Sequence, residues 1–312
     1  AGTRTLPAAE RRFFSGVQNA FPILSHRHPK EAEISSMIYL VLAILSSMLV
    51  SVLMRLSETR IHNRASMLAC NYLMCTVLAA SFAGAVPLPR EGVAFTVGLG
   101  LVSGAMYLGG FLLLQWNIAR NGVVLSATFM KLGVLVPTAM AMLIFGERPG
   151  AVQMAGMLLA FLAILLINLE RGSQKAASRT GLVLLLLVGG STDATAKIFE
   201  ELGQAPLKDT FLLITFVTAL LLCVAVCIAR RQSLTGADLL FGLLIGAPNY
   251  FSSRFLLLSL NDVPAVIAYP TYSVGTIVLI ALLGVWLFHE RLSRRQTLAM
   301  GMILAALALL NL

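Results

Sequence analysis

The chain has 312 residues, of which 58% are hydrophobic and only 12% charged, and its formal charge is +9. Soluble domains run at about 45–50% apolar and about 25% charged, so this apolar surplus exceeds what a water-soluble core holds and points to a lipid-facing surface. The positive balance is not a nucleic-acid signature, because the basic residues sit mostly in short loops between apolar runs and do not interleave with aromatic ones.

From the N-terminus, residues 1–33 are polar, mixed in charge and without the apolar stretch of a signal peptide. They read either as a disordered tail or as sequence upstream of an alternative start at Met37. Crossing about 30 Å of hydrocarbon takes about 20 apolar residues. Runs of that kind are predicted at 34–56, 65–86, 93–118, 122–145, 150–169, 180–200, 208–229, 237–260, 263–288 and 294–312. They do not alternate polar and apolar residues as barrel strands do. Short connections make neighbours antiparallel.

Local signals fit helices. Pro149 sits where the fifth helix begins, a place where a missing N–H is tolerated. Ser293-Arg294-Arg295-Gln296 has the spacing of a capping box at the tenth. Cys70, Cys75, Cys223 and Cys227 all lie inside apolar runs with no His nearby, and read as small packing residues rather than as a disulfide or metal set.

The two halves match at one offset of 143 residues: Glu147-Arg148 with Glu290-Arg291, Gln153 with Gln296, Asn168 with Asn311, Phe145 with Phe288, Thr128 with Thr271, Tyr107 with Tyr250, and Glu58 with Glu201. Each half holds five spans, an odd number, so the second enters the membrane from the opposite face. That is an inverted repeat, frequent among secondary transporters. The expected fold is therefore all-α, a polytopic membrane protein of ten transmembrane helices in two inverted repeats, 34–169 and 180–312.

The segment Phe145-Gly146-Glu147-Arg148, followed by Gln153, Gly156 and an apolar helix, recurs as Phe288-His289-Glu290-Arg291 with Gln296. In this the chain resembles the drug/metabolite transporter superfamily, specifically its EamA-type ten-span members, over roughly residues 37–312. His289 departs from the Gly that usually stands there. The resemblance implies an alternating-access carrier of small metabolites, with a cavity lined by the first, third, fourth, sixth, eighth and ninth spans. Family members usually keep both termini inside. Arg55, Arg60, Arg64, Arg120, Arg171, Lys175, Arg230 and Arg231 crowd the odd-numbered loops, which by the positive-inside rule puts the termini outside, and the sequence leaves that conflict open.

An ionisable residue at membrane depth costs about 2.5–3.5 kcal/mol on insertion scales and so faces a cavity or a partner. Lys131, near the middle of the fourth run, has the uncharged repeat mate Val274, and reads as a substrate or ion contact or as half of a buried ion pair. Asp193, with mate Val50, is followed one turn on by Lys197. It is either half of a self-neutralising couple, or a counter-ion to Lys131 or protonatable coupling site. Arg254, with mate Phe111, offers a planar fork for carboxylate or phosphate, with a structural bridge as the alternative. Tyr107, Asn249, Tyr250, Tyr269 and Tyr272 complete the substrate-binding candidates, ahead of Asn71 and Tyr72, while Trp116 and Trp286 read as interfacial anchors. Glu147 and Glu290 are expected as structural residues before helix N-termini, where the dipole favours an anion. Pro137, Pro248, Pro270 and Gly189-Gly190 mark places where backbone can open to a cavity. Gly100 with Gly104, and Gly242 with Gly246, have the spacing of close helix contacts.

No catalytic constellation, metal set, cofactor motif or ATPase motif is present in the sequence. The expected function is a secondary transporter of a small polar metabolite in the inner membrane of a prokaryote, partnered by the bilayer, its substrate and a coupling proton or ion, and not by nucleic acid. Two cations to one anion suggest an anionic or zwitterionic substrate, an amino acid or organic acid. The first span lacks the mid-membrane carboxylate that small multidrug exporters of the superfamily use for cations. A channel, a lipid scramblase or a membrane-embedded enzyme are the alternatives.

Overall fold

The structure is a computed structural model that describes residues 29–84, 91–168, 178–288 and 294–310. Among these it has ten α-helices and no strand: α1 (Pro29–Ser57), α2 (Arg64–Ala83), α3 (Val93–Leu132), α4 (Leu135–Leu143), α5 (Ala151–Asn168), α6 (Arg179–Leu202), α7 (Lys208–Ala229), α8 (Gly236–Ser259), α9 (Ala265–Phe288) and α10 (Arg294–Leu310). Six helical stretches are long and apolar enough to cross a membrane, and Phe129–Leu143 and Ala151–Leu166 are shorter apolar helices. Large apolar side chains such as Leu143, Leu221, Ile228 and Trp286 point outward, as a lipid-facing surface requires. The chain is a multi-pass integral membrane protein.

Two boundaries differ from those expected. Helix α1 starts at Pro29 rather than 34. Pro is suited to the first helical position. The remainder of the polar tail, and Glu290 with its capping segment, lie outside the described residues. Pro149 falls just before α5, where the Gln153 side chain accepts the Gly150 N–H at 3.0 Å.

The larger difference concerns spans three and four. The helical residues of α3 number 40, about 60 Å if straight, twice the hydrocarbon thickness. Its contacts along α6 show that it doubles back. The Thr195 hydroxyl donates to Ser103, and Asn117 donates to the Gly181 carbonyl. At Asn121 the chain reaches Ser178, at the very start of α6. Beyond it the order reverses: Gly133 lies against Gly190, and Glu147 meets Lys197. One arm therefore runs antiparallel to α6 and the next parallel to it, so the chain turns between Asn121 and Gly133 and both crossings exist. The second arm is broken in its middle, at Gly133–Val134, before α4 begins. Pro137 has no N–H for the Gly133 carbonyl four residues upstream, and the Val136 N–H takes it in a tighter turn instead.

Helix α1 packs on α8, α2 on α7 and α8, α3 on α6 and α7, α4 on α6 and α9, and α5 on α10. Glycines permit the closest of these approaches. A methyl at Gly104 would meet the Thr215 carbonyl, one at Gly242 the Met67 carbonyl, and one at Gly246 the Asn71 carbonyl, so both stripes are helix-packing faces. At the start of α1 the Ser36 hydroxyl donates to Asp262, and just past the end of α6 Lys208 donates to Asn261. Both reach the α8–α9 turn, so α1 and α6 run in opposite directions.

The tightest crossing is Gly190 on Gly133, where an added methyl would overlap the Gly133 carbonyl oxygen and the Val136 side chain. Gly190→Ala is expected to lose about 1–3 kcal/mol by overpacking, seen as a lower Tm in detergent. Gly98→Ala, with nothing within 4 Å of its added carbon, should hold or raise Tm.

Candidate functional site

One cavity of about 440 Å³ lies among the helices. Helices α1, α3, α6, α8 and α9 line it as expected, together with the broken turn at Gly133–Val134. Two further helices contribute, α2 through Asn71 and Tyr72 and α7 through Leu212 and Thr215. Sequence reasoning did not anticipate α7, because Thr215 carries no charge and its apolar run is the most uniform of all.

Lys131 is the last residue but one before the break, and its side chain is exposed although it lies mid-span. Asp193 lines the same cavity from the middle of α6. Among the described residues no ion pair within 4.0 Å engages either of them. The expected couple of Asp193 with Lys197 does not form. Lys197 turns toward the end of α6, where its ammonium meets Glu147 at 2.8 Å, Glu200 at 2.8 Å and Glu201 at 2.5 Å. The spacing to Glu200 and Glu201 is as good for pairing as that to Asp193, and Glu147 adds a third carboxylate from across the bundle.

Around the charges stand neutral donors and acceptors. Tyr107 shares a hydrogen bond with Ser253 at 3.3 Å, and Tyr272 with Ser252 at 2.8 Å. The Asn249 amide donates to the Asn71 side chain at 2.9 Å. All six face the cavity. The cavity thus gathers Lys131, Asp193, Tyr107, Asn249 and Tyr272, five of the eight candidates.

The other three lie elsewhere. Arg254 makes a two-pronged bond to Asp209, at 2.8 and 3.2 Å, with its guanidinium 4.3 Å from the Phe82 ring centre. That is the structural bridge, outside the cavity lining. Tyr250 is fully buried among Phe82, Phe216 and Phe251. Tyr269 is fully buried too, and its hydroxyl donates to the Asp193 backbone carbonyl at 2.7 Å. It touches the cavity only through that residue.

Glu147 has the expected helix-end position, though not for the helix that follows it. Gly146, in the left-handed region at φ 73°, turns the chain after α4. The Glu147 carboxylate then accepts the N–H groups of Ala265 and Val266 at 3.1 and 2.9 Å, capping α9. Among the described residues, no group of three or more His, Cys, Asp or Glu is arranged to hold a metal ion.

With this geometry in view, three likenesses bear on the chain. Residues 210–303, spanning α7, α8, α9 and much of α10, match the family described as Small Multidrug Resistance protein. An uncharacterized protein of Haemophilus influenzae is 24% identical over 282 residues, covering 86% of this chain and 95% of that protein. A known crystal structure superposes with a TM-score of 0.68 at 15% identity, covering 88% of this chain and 96% of that one, a likeness of fold. The family match supports a membrane transporter of small molecules in general.

The Arg254–Asp209 bridge gives a measurable consequence. Arg254→Gln and Asp209→Asn should each lose about 1.5–3 kcal/mol, the range for a hydrogen bond to a charged group. The double variant should lose clearly less than the sum, as read from Tm in detergent.

Proposed function

We propose that the chain is a secondary carrier, not driven by ATP, that moves a small zwitterionic metabolite such as an amino acid by alternating access. The observation that carries this reading is the pair Lys131 and Asp193, opposite charges near mid-bundle that face one cavity without closing on each other. A charge at that depth is otherwise stabilised by a partner, so a ligand presenting a carboxylate to Lys131 and an ammonium to Asp193 completes both. With Arg254 engaged by Asp209, the cavity balance is one cation to one anion. That favours a zwitterion over a net anion and over a net cation. A cavity of about 440 Å³ suits a ligand of metabolite size.

Alternating access rests on the repeat. Exchanging each helix with the one five places along carries α1 on α8 into α6 on α3, and α1 on α9 into α6 on α4, while α2 on α7 and α5 on α10 map onto themselves. The opposite course of α1 and α6 supports an inverted arrangement. Carriers of this plan rock one bundle against the other around a midplane site. The EamA-type resemblance and the bacterial relative support a bacterial inner-membrane setting. Likeness to transporters speaks for a non-enzyme.

Counterflow in proteoliposomes with labelled amino acids and labelled dicarboxylates tests the reading. Saturable exchange of an amino acid is expected, and linear, non-exchanging leak would indicate a pore instead. Lys131→Ala and Asp193→Asn should each raise the apparent KM roughly 10–100-fold, the loss of one charged hydrogen bond. If Asp193→Asn leaves transport intact while Lys131→Ala abolishes it, the cargo is an organic anion and not a zwitterion.

A further inference from the structure

The two ends of the bundle are closed by different chemistry. At the end holding the α1–α2 turn, the buried contacts between helices among the described residues run mainly through backbone and amide groups, with an exposed Arg64–Glu58 ion pair beside them. Asn117 and Asn121 join Gly181 and Ser178, Asn63 joins Ser233, and the Asp238 carboxylate caps its own helix and accepts the His62 and Asn63 N–H groups. At the end holding the α6–α7 turn, contacts are ionic. Lys197, only 3% exposed, ties α6 to Glu147, and Arg254 ties α8 to α7.

We propose that Glu147 is a gate residue: its carboxylate, shared between the Lys197 ammonium and the first N–H groups of α9, latches the α6–α7 end of the cavity shut. The inference rests on the carrier reading and adds to it a position that the sequence marks only as a helix cap. Three observations converge on it. Among the described residues, Glu147 is the one carboxylate that ties the segment after α4 to α6 and α9 at once. Beneath the capped turn, Leu256, Leu260, Val263, Ala265 and Val266 pack into one apolar cluster, and Leu256 also lines the cavity, so the latch sits over the plug that separates cavity from that end. One turn into α9, Tyr269 holds the carbonyl of Asp193, the residue whose carboxylate faces the cavity. Helix α9 is thus clamped to α6 at two points, one at the gate and one at the binding site. When the latch opens, Lys197 keeps Glu200 and Glu201 as partners on its own helix. It is never left a bare buried charge, so the interhelical bond can break and reform at low cost.

The test uses the full chain in inside-out vesicles and in intact cells, with the four natural cysteines replaced by Ala and a reporter Leu256→Cys. A separate marker, Gln204→Cys in the α6–α7 turn, identifies the side to which that end faces. The probe is a membrane-impermeant maleimide applied from that side. Lys197→Met and Glu147→Gln should each speed labelling of the reporter by about tenfold or more, the effect of opening a buried charge pair. Glu147→Gln is the deciding variant, because its amide oxygen still accepts the α9 N–H groups while Lys197 is left with only the two carboxylates of its own helix. If both variants fold, by an unchanged elution profile and Tm, and labelling stays at the parental rate, Glu147 is a helix cap alone and the latch is wrong. The readout needs no substrate. Unchanged labelling with counterflow intact therefore removes the latch and leaves the carrier standing. Faster labelling in a protein that shows no counterflow removes the carrier.

Discussion

An unpaired charge at mid-bilayer needs water, a counter-charge or a ligand, and two such charges face each other's cavity here. Much of the architecture serves to keep them apart yet accessible. Lys131 sits beside a helix break, and a break in lipid is tolerated only where the freed backbone finds protein or a cavity. The break exists because Pro137 withholds an N–H, and it can be packed because Gly190 offers no side chain where the Gly133 carbonyl passes. A proline on one helix and a glycine on another, 53 positions apart in sequence, thus together place an ammonium group in the middle of the bundle.

The remaining membrane-depth charges are treated in the opposite way. Lys197 has three carboxylates and Arg254 has a two-pronged one. A buried pair offsets its desolvation only when the geometry is good and further bonds satisfy the spare donors. Both meet that condition, through Glu200 and Glu201 for the lysine and the Phe82 ring for the arginine. The contrast between satisfied charges at one end and unsatisfied charges at the centre separates binding site from scaffold more sharply than burial does. Tyr250 and Tyr269 are as buried as any residue in the chain, yet neither lines the cavity.

Much of this was legible in the sequence, and the exceptions have physical causes. Helix α7 was expected at 208–229 and occupies those residues, because a polar Lys208 and a basic Arg230 bracket an unbroken apolar run. The reversal near Asn121 is legible in the sequence from the apolar runs that end at 118 and resume at 122. The sequence marks the break by Pro137, and the backbone opens four residues earlier because the proline leaves the Gly133 carbonyl without its helical partner. The couple of Asp193 with Lys197 stands in the sequence as one of two readings, because spacing alone cannot rank i−4 against i+3 and i+4. Glu147, distant in sequence, tipped the balance toward the helix end. Arg254 belonged with Asp209, 45 residues away, a pairing invisible without the α7–α8 contact. Both cases are of one kind: local spacing shows which pairs are allowed, and tertiary packing selects among them.

The offset of 143 residues sharpens that division. Its mates preserve the residues that build backbone, such as Phe145, Gln153 and Thr128, while Lys131, Asp193, Arg254 and Lys197 fall opposite Val274, Val50, Phe111 and Met54. A duplicated frame supplies two equivalent ends for a cavity, and by itself would supply two equivalent gates. Charges present in one copy only break that equivalence: among the described residues the buried ion pairs of Lys197 and Arg254 both lie toward the α6–α7 end. The frame, with Glu147 and its mate Glu290, is thus what the halves share, while the cavity charges and the lysine that answers Glu147 stand in one copy only.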